Sequence, residues 1–547
     1  MKFLNYLLLK YYFQKTCVIL HIYQLKIKTN VMKIKILWAD DEIELLKPHI
    51  LFLESKGYQV LPVVSGNEAI ELLENEFTDI IFLDENMPGL SGIETMKRIK
   101  AINPHIPIVM ITKSEEEHIM EDAIGSNIAD YLIKPVNPNQ ILLCLKKNIE
   151  NKKIVTEKST IAYQQAFRDI ALRMSDRLSV KEWEELYKEL IRWELDLEKI
   201  EDSGVADILQ NQKEEANTIF AKYVIKNYKD WLTGNCADKP ILSQTVLKDK
   251  LFPELSEEHS TFLFVVDNLR FDQWKILQPY IHDYYRVDSE DICFSILPTA
   301  THYARNALFS GLMPSEIAKK YPQLWLNESD EGRKNQYEQE LLVEYLKRYG
   351  KNIKLSYSKI LNIDFGKRLL DNIHQMLDNT LNVIVINFVD MLSHARTNVD
   401  LIRELADDEK SYRSVTASWF ENSVMYDMVK FLSEKKIPIF ITTDHGTIKI
   451  DKPIKVIGDK NISNNLRYKA GRNMNYPEKE VYEIKNPTEI FLPQESMLHR
   501  YIFATKSDFF AYPNNYNHYV NYYRNTFQHG GISMEEMMTP FIKLVAK

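Results

Sequence analysis

The chain has 547 residues, a length that corresponds to three or four domains rather than one. Hydrophobic residues make up 45% and charged residues 27%, which excludes a mainly disordered chain, and the low glycine and proline content excludes a collagen-like one. The formal net charge of -8 provides no field that attracts nucleic acid, so a phosphate-bearing ligand requires a local cationic patch or a metal ion. The four cysteines have no C-x-x-C spacing, which excludes a disulfide framework and a thiolate zinc knuckle and fits a reducing compartment.

Residues 1–31 consist mainly of Lys, Tyr, Leu, Ile and Asn, and lysines interrupt their short apolar runs. No small-residue cleavage site follows them, and no run reaches the roughly 18 apolar residues of a membrane span. A second methionine, Met32, directly precedes a clear strand pattern. We therefore expect residues 1–31 to be a non-native or disordered extension and the native start to lie at Met32. An N-terminal amphipathic anchor is the alternative.

Residues 32–152 alternate short apolar strands with helical patterns, which predicts a five-stranded parallel sheet covered by helices on both faces. The predicted strands are KIKILWA, YQVLPV, DIIFLD, PIVMIT and ADYLI. The predicted helices cover residues 44–55, 67–74, 92–100, 115–124 and 138–148. Functional residues in such sheets collect at the carboxyl ends of the strands.

Those strand ends carry three carboxylates, Asp40, Asp41 and Asp84, together with Thr112 and Lys134. Because three carboxylates at one edge repel one another, they require a divalent cation, and their hard oxygen ligands suit Mg²⁺. A lysine and a hydroxyl directed at the same place would hold a phosphoryl group. The sequence therefore predicts a magnesium-dependent phosphoryl site at this edge.

This set, with Pro135 after the lysine, resembles the receiver domain of two-component response regulators, which has a flavodoxin-like fold. The resemblance implies that Asp84 accepts phosphate from a histidine kinase and that Asp40, Asp41 and Asp84 bind Mg²⁺. It further implies that the phosphoryl-binding and switch residues are Thr112, Lys134 and Tyr131. One departure from the family is Lys113, which follows the switch hydroxyl where a small residue is usual.

Residues from about 157 to 227 contain a single glycine and no proline, and their apolar residues recur at helical spacing. This pattern predicts a helical bundle that transmits the state of the receiver, with Trp183 and Trp193 packed between helices. No recognition-helix pattern with flanking basic residues is present, so we expect no direct duplex-DNA-binding domain.

Several apolar strands beyond residue 256 end at a metal-ligand type. TFLFVVD ends at Asp267, NVIVINFVD ends at Asp390, and IPIFITTDHG ends at Asp444 and His445. His394 lies about one helical turn after Asp390, so both side chains could face one ion. Two further residues join this set, Thr301 in LPTATHYARNALFSGLMP and His529 in FQHGGIS. Such a mixture of carboxylates and imidazoles is the donor set that zinc favours.

The order Asp, Thr, Asp-x-x-x-His, Asp-His, His resembles the alkaline phosphatase superfamily of two-zinc phosphoryl-transfer enzymes, and VVDNLRFDQW and HGGISMEE are most similar to its PglZ branch. The resemblance implies an α/β output domain over residues 256–547. It assigns one zinc ion to Asp267, Thr301, Asp444 and His445. It assigns the second zinc ion to Asp390, His394 and His529.

The resemblance also implies a nucleophile. A threonine hydroxyl is a weak nucleophile near neutral pH, and a coordinated zinc ion lowers its pKa. Thr299 is the competitor, but the P-x-x-T spacing of the family after Pro298 favours Thr301.

The cationic stretch NNLRYKAGRNMNY follows the Asp-His strand. We expect Arg467, Lys469 and Arg472 to form a lid or clamp on the substrate phosphate, with Asn306 as an oxygen ligand. The alternative is a solvated loop, which is the usual environment of a charge run.

The order of a receiver at 32–152, a helical bundle linker domain at 153–255 and a PglZ domain at 256–547 resembles the PorX-type response regulators of the type IX secretion system. The resemblance implies a cytoplasmic regulator with a membrane sensor histidine kinase and a homodimer promoted by phosphorylation. It also implies contact with an alternative sigma factor and secretion-system components, and hydrolysis of oligonucleotides or cyclic nucleotides.

Two functions of different classes fit this sequence. The first is a zinc-dependent phosphodiesterase controlled by phosphorylation, and the second is a non-catalytic, zinc-stabilised module that signals by binding a sigma factor or the secretion machinery. Thr301 favours the enzyme, since a structural metal site does not need an activated hydroxyl.

Overall fold

The computed structural model describes the backbone of residues 34–103, 106–113, 128–199, 203–398, 408–458 and 462–547, and their side chains except 74–75, 149–161, 203 and 394–398. The described residues form two compact units that divide at residue 159. The predicted extension at 1–31 and the predicted helix at 115–124 lie outside the described residues. In the part of the chain that is described, no helix combines the length and apolar composition that a membrane span needs.

The first unit contains a parallel sheet of the order β2-β1-β3-β4-β5. Its strands are β1 (Lys35–Ala39), β2 (Gln59–Val63), β3 (Ile80–Asp84), β4 (Ile108–Thr112) and β5 (Asp130–Ile133). Its helices are Lys47–Ser55, Gly66–Asn75, Gly92–Ile102 and Pro138–Leu145. The predicted five-stranded parallel sheet and its flavodoxin-like strand order are confirmed.

Both faces of this sheet are buried, which explains why its strands are almost continuously apolar. Successive residues of β1 point to opposite faces: Ile36 and Trp38 belong to one hydrophobic core, and Leu37 and Ala39 belong to the other. Helices pack against both cores, and the polar residues of the sheet lie at the carboxyl ends of its strands.

The second unit is built on a mixed six-stranded sheet of the order β7-β18-β10-β6-β9-β8. The strands β6 (Thr261–Val266), β8 (Leu355–Ile360), β9 (Leu381–Ile386) and β10 (Ile439–Thr442) pair in parallel, and β18 (Met538–Ala546) pairs antiparallel with both β10 and the edge strand β7 (Tyr285–Phe294). The smaller sheets pair β11 (Ile448–Lys449) with β17 (Phe527–Gln528), β12 (Lys452–Lys455) with β16 (Asp508–Ala511), and β13 (Tyr468–Gly471) and β14 (Tyr482–Ile484) with β15 (Arg500–Phe503).

Helices pack around this sheet. They are Val180–Leu197, Ser203–Thr233, Ser243–Val246, Phe271–Ile281, Thr301–Ser310, Pro314–Lys320, Glu338–Arg348, Ile363–Asp371, Ile373–Met376, Phe388–Asn398, Glu409–Glu421, Val424–Glu434, Tyr516–Tyr523 and Met534–Met537, together with the part of Asn151–Ser175 that belongs to the second unit. The chain is thus a multidomain α/β protein.

The helices Val180–Leu197 and Ser203–Thr233 share one hydrophobic core with the six-stranded sheet. The ring of Trp183 lies 5.2 Å from that of Phe220, which in turn lies 5.9 Å from the ring of Phe294 in β7. Trp193 packs 5.4 Å from Tyr163, so the prediction that both tryptophans lie between helices is confirmed. The predicted boundaries at 152/153 and 255/256 stay predictions.

A buried ionic network joins these helices to the helices Phe271–Ile281 and Glu409–Glu421. Arg413 donates to Glu194 at 3.0 Å and to Asp272 at 2.6 Å, and Lys213 donates to Glu194 at 2.7 Å. Although burial alone would raise it, Lys213 and Arg413 hold the pKa of Glu194 below its usual value. Removing one partner of such a network leaves an uncompensated buried charge.

We therefore expect Arg413→Ala to destabilise the second unit by about 3–5 kcal/mol. For a unit of this size, that corresponds to a fall in melting temperature of about 4–6 °C in scanning calorimetry. Arg192→Ala is the control, since the side chain of Arg192 is 61% exposed. Equal melting temperatures for the two variants would contradict a stabilising role for the ion pairs of Arg413.

Candidate functional site

The first candidate site lies at the carboxyl edge of the parallel sheet in the first unit. Ligand oxygens of Asp40, Asp41 and Asp84 lie within 4.8 Å of one another. Lys134 Nζ is 2.8 Å from Asp40 Oδ2 and 3.1 Å from Asp84 Oδ1. Thr112 is the last residue of β4, beside the end of β3 at Asp84. The structure thus places the five sequence-predicted residues at one edge.

Burial shapes the electrostatics of this edge. It raises the pKa of Asp84, while Lys134 acts in the opposite direction. Although burial alone would lower it, hydrogen bonds to Asp40 and Asp84 raise the pKa of Lys134. A cationic lysine beside clustered carboxylates fits a divalent cation and a phosphoryl group. Tyr131, the predicted switch aromatic, lies half-buried in β5.

The second candidate site lies where two neighbouring parallel strands of the mixed sheet end. Asp267 directly follows β6, and Asp444 and His445 follow β10. Ligand atoms of these three residues lie within 4.8 Å of one another, and all three residues are buried. Asp267 Oδ1 and Asp444 Oδ2 accept no hydrogen bond from the described residues, and lie 3.9 and 3.7 Å from His445 Nε2. This donor set fits a divalent metal ion.

The two histidines of the site are oriented by backbone carbonyls. His445 Nδ1 lies 3.1 Å from the carbonyl oxygen of Gly446, and His529 Nδ1 lies 3.2 Å from that of Thr299. A protonated Nδ1 donates in both contacts, which leaves each Nε2 as a lone-pair donor for a metal ion. The two rings stack with their centroids 4.2 Å apart.

The second predicted ligand set is described in part. His529 Nε2 lies 3.7 Å from Asp390 Oδ1. His394 belongs to the helix Phe388–Asn398, which also contains Asp390, but its side chain lies outside the described part of the structure. The described members of both sets are therefore adjacent, joined by the stacked rings of His445 and His529.

Thr301 is the first residue of the helix Thr301–Ser310, and its hydroxyl oxygen lies 3.1 Å from His445 Nε2. The residue before it, Ala300, provides no side-chain cap for this helix. An uncapped helix N-terminus presents backbone N–H groups that stabilise negative charge beside the hydroxyl. Sequence reasoning missed this feature, although the alanine at the start of the helical segment indicates it.

Thr299 has a different environment from Thr301. Its hydroxyl donates to the carbonyl oxygen of Gly531 at 2.8 Å and accepts from the N–H of Gly530 at 3.1 Å. Since its own carbonyl contacts His529, Thr299 anchors the turn that carries this histidine. Its hydroxyl is already engaged, whereas that of Thr301 faces the donor set.

Arg305 and Glu338 are functional-site residues that sequence reasoning missed. Arg305 donates to Asp267 Oδ2 at 2.6 Å and to Glu338 at 2.7 Å, and lies 3.8 Å from Asp444 Oδ2. Arg305 lies four residues after Thr301 in the same helix, so both residues lie on one helix face. This spacing is the sequence feature that could have indicated Arg305. It neutralises part of the negative charge and fixes the orientation of Asp267.

Burial dominates the pKa values in this site. It raises the pKa of Asp267 to about 6, although Arg305 acts in the opposite direction. It also raises the pKa of Asp444 and lowers that of His445. Each shift arises because burial disfavours the charged form of the group. A bound cation would stabilise the charged form of the two carboxylates.

The predicted phosphate clamp requires correction. Arg467 is fully buried and donates to Glu536 at 3.1 and 2.6 Å, so its guanidinium is engaged in a structural ion pair. Lys469 is buried in β13, where burial lowers its pKa to about 7, and Arg472 is exposed just beyond that strand. The charge run is therefore largely an internal strand rather than a cationic lid.

The amide nitrogen of Asn306 is already engaged in two hydrogen bonds. Its Nδ2 donates to the carbonyl oxygens of His302 at 2.8 Å and Lys334 at 3.1 Å. These bonds tie the helix Thr301–Ser310 to the segment around Lys334. Its predicted role as an oxygen ligand stays a prediction.

The turn that follows His529 is held against the Asp444–His445 turn. A Cβ atom at Gly446 would lie 2.0 Å from the carbonyl oxygen of Glu535, so only glycine fits there. Asn217, from the helix Ser203–Thr233, donates to Glu535 Oε2 at 2.9 Å and accepts from the N–H of Met534 at 2.8 Å. The long helix thus positions the backbone beside His445.

Family models match three successive regions of the chain. Residues 36–146 match the response regulator receiver domain, and residues 153–232 match the PorX response regulator linker domain. Residues 246–544 match the BREX system PglZ alkaline phosphatase-like domain. Because this last match covers more than half of the chain, the chain belongs to the PglZ family. The order of receiver, PorX linker and PglZ domain is that of a PorX-type response regulator.

Curated relatives match over a shorter stretch. The transcriptional regulatory protein ZraR of Escherichia coli O157:H7 is 32% identical over 122 residues, which cover 22% of this chain and 28% of that protein. The alginate biosynthesis transcriptional regulatory protein AlgB of Pseudomonas putida is 31% identical over 120 residues, which cover 22% of this chain and 27% of that protein. The chain thus spans little more than a quarter of the length of these relatives.

Solved receiver structures also match. The crystal structure of a response regulator receiver domain protein from Clostridium thermocellum has 31% sequence identity to this chain. The match covers 22% of this chain and 98% of that chain, with a TM-score of 0.21.

We expect Asn217→Ala to weaken binding of a divalent metal at the second site by about 10- to 100-fold, because the 533–537 turn loses its anchor beside His445. Competition titration against a chromogenic chelator measures this affinity. Asn227→Ala is the matched control, since the amide of Asn227 donates to Tyr223 within the same helix. Wild-type metal affinity in Asn217→Ala would rule out this positioning role.

Proposed function

We propose that this chain is a two-component response regulator that is phosphorylated on Asp84 and whose output domain is a two-zinc phosphodiesterase acting on nucleotide or oligonucleotide esters. The observation that carries the proposal is the position of the Thr301 hydroxyl, which lies 3.1 Å from His445 Nε2. The neighbouring carboxylate oxygens Asp267 Oδ1 and Asp444 Oδ2 accept no hydrogen bond from the described residues. A site with a purely structural role has no need of this hydroxyl.

Thr301 is the nucleophile of the proposed reaction. Its Oγ1 attacks phosphorus and gives up its proton, the bond from phosphorus to the leaving oxygen breaks, and the leaving alkoxide takes up a proton to become an alcohol. Water then attacks the phosphorus of the phosphothreonine diester and the bond from phosphorus to Oγ1 breaks, which restores the threonine hydroxyl and releases a phosphomonoester. The N-terminus of the helix Thr301–Ser310 stabilises the charge on the phosphoryl oxygens.

The proposed ligands are Asp267, Thr301, Asp444 and His445 for one zinc ion and Asp390, His394 and His529 for the other. Zinc, when bound there, supplies Lewis-acid charge that lowers the pKa of a hydroxyl. Arg305 holds Asp267, and the carbonyl oxygen of Gly446 fixes the tautomer of His445. These contacts keep the ligand atoms convergent before substrate arrives.

The receiver controls this output in the proposal. Asp40, Asp41 and Asp84 would hold Mg²⁺, which would supply positive charge opposite the phosphoryl group, and Lys134 and Thr112 bind the phosphoryl oxygens. Tyr131 responds as the switch residue, and the population shifts toward a homodimer.

The proposed partners follow from the domain order. A receiver requires a kinase that donates phosphate, and the PorX-type arrangement points to a membrane sensor histidine kinase. We infer a cytoplasmic regulator of type IX secretion that contacts an alternative sigma factor and secretion-system components.

Zinc-loaded protein is expected to hydrolyse bis-p-nitrophenyl phosphate and a short cyclic oligonucleotide, and Thr301→Val is expected to lower kcat at least about 1000-fold. The valine has the same shape but no hydroxyl, so it removes the nucleophile and one proposed zinc ligand, and the zinc content of the variant shows whether the metal is retained. Release of p-nitrophenolate, with zinc content measured by mass spectrometry, checks both statements.

Thr299→Val is the matched control, because it removes a neighbouring hydroxyl that is engaged with Gly530 and Gly531. We expect Thr299→Val to lose less activity than Thr301→Val, and this loss to be proportional to the bound metal that is lost when the turn carrying His529 is disturbed. A wild-type rate in Thr301→Val would overturn Thr301 as the nucleophile, and no turnover by wild-type protein with two bound zinc ions would overturn the enzyme proposal itself.

Acetyl phosphate with Mg²⁺ is expected to add one phosphoryl group to the wild-type chain and none to Asp84→Asn, as read by intact mass. The asparagine keeps the shape of the side chain but cannot form the acyl phosphate. Glu76→Gln is the control, since this carboxyl is half-exposed and pairs with Lys35 at 2.8 Å. Labelling of Asp84→Asn at the wild-type level would place the phosphorylation elsewhere.

A further inference from the structure

A pocket of about 540 Å³ opens at the ends of β8 and β9. Tyr357 and Lys359 of β8 and Glu338 form its floor together with Asn387, which directly follows β9. Because β9 lies beside β6, whose end carries Asp267, the pocket continues the edge of the sheet that holds the second candidate site. Its volume is in the usual range for a small-molecule site.

Three contacts tie this pocket to the reacting residues. Asn335, on its wall, donates to the carbonyl oxygen of Thr301 at 2.8 Å. Glu338 accepts from Arg305, which also binds Asp267. Asn387 precedes the predicted ligand Asp390 by one helical turn. These contacts connect the pocket wall to the backbone of Thr301 and to Asp267, so the pocket is a candidate place for one ester arm of a substrate whose phosphorus lies at Thr301.

The charges of the pocket balance one another. Lys359 Nζ lies 3.1 Å from Glu338 Oε2, and at the exposed rim Arg333 is accompanied by Glu340. No excess positive charge is therefore left for a second phosphate group in the described lining. An anionic arm would also meet the buried carboxylate of Glu338.

Carboxamides supply the remaining polar groups of the lining, from Asn335, Gln336, Gln339 and Asn387. Asn387 Oδ1 is buried and accepts no hydrogen bond from any described residue. A buried acceptor without a donor is costly unless a ligand or water supplies one. Each carboxamide can donate and accept side by side, which is the pattern that pairs with the edge of a nucleobase.

We propose that this pocket binds the uncharged nucleoside arm of the phosphodiester, with Asn387 and Gln339 reading its hydrogen-bonding edge. This inference rests on the proposed phosphodiesterase function and adds which part of the substrate determines specificity. Leu361, half-exposed at the rim, offers an apolar surface to a ring face.

The kinetic test compares hydrolysis, by zinc-loaded protein, of two substrates with the same chromophore. They are the p-nitrophenyl ester of thymidine 5′-monophosphate and methyl p-nitrophenyl phosphate. Wild-type protein is expected to prefer the thymidine ester by about tenfold or more in kcat/KM. Asn387→Ala and Gln339→Ala are expected to lower that preference about tenfold, mainly through KM, because a buried acceptor or a paired amide is lost. Gln375→Ala, an exposed glutamine outside the pocket lining, is the control.

Two kinetic results would overturn the proposal. One is an equal loss for both substrates in Asn387→Ala and Gln339→Ala, which would make these residues positioning residues rather than binding residues. The other is a preference for the p-nitrophenyl diester of glucose 6-phosphate over the thymidine ester, which would assign the pocket to a sugar.

A binding test separates this proposal from the proposed function. Calorimetry on full-length, zinc-loaded Thr301→Val protein measures binding of thymidine 5′-monophosphate against inorganic phosphate. Nucleotide binding that Asn387→Ala weakens about tenfold supports the pocket even if no substrate is hydrolysed, in which case only the phosphodiesterase function fails. Hydrolysis of diesters without tighter binding of the nucleotide than of phosphate would overturn the pocket alone.

Discussion

Three buried carboxylates, those of Asp267, Asp444 and Glu338, meet the buried guanidinium of Arg305 at one edge of the mixed sheet. These three carboxylates carry more negative charge than the positive charge of Arg305 and the nearby Lys359. Asp267 Oδ1 and Asp444 Oδ2, which are close to Thr301 and His445, have no hydrogen-bond donor among the described residues. Such an arrangement is costly in a low-dielectric interior and becomes favourable when a divalent cation binds. Thr301, His445 and the pocket beyond Glu338 all lie along this edge.

The surrounding structure keeps that edge rigid. Gly446 allows the backbone of Glu535 to approach the Asp444–His445 turn, and the Arg467–Glu536 ion pair lies behind the turn that carries His529. Asn217 adds a contact from the long linker helix, so a residue outside the PglZ match supports the site. The linker helices share one core with the output sheet, and a change in their packing would therefore reach the backbone beside His445.

Much of this arrangement could be predicted from the sequence, because parallel strands are short apolar runs that place their next polar residue at a common edge. That rule located Asp84 and Lys134 in the receiver and Asp267, Asp444 and His445 in the output domain. It could not find the contact between Asn217 and Glu535, which are 318 residues apart and carry no local pattern. It also misjudged Arg467, since a charge run usually indicates solvent exposure, whereas here the partner Glu536 compensates the buried charge.

Crystallography of the zinc-loaded protein, with anomalous scattering at the zinc edge, would locate the metal ions. One peak is expected within coordination distance of Asp267 Oδ1, Asp444 Oδ2 and His445 Nε2, and a second beside Asp390 and His529, with Zn–O and Zn–N distances of about 2.0–2.2 Å. Thr301 Oγ1 is expected to face the first peak. Protein saturated with zinc that shows no peak at the ends of β6 and β10, with zinc bound only elsewhere, would contradict the account.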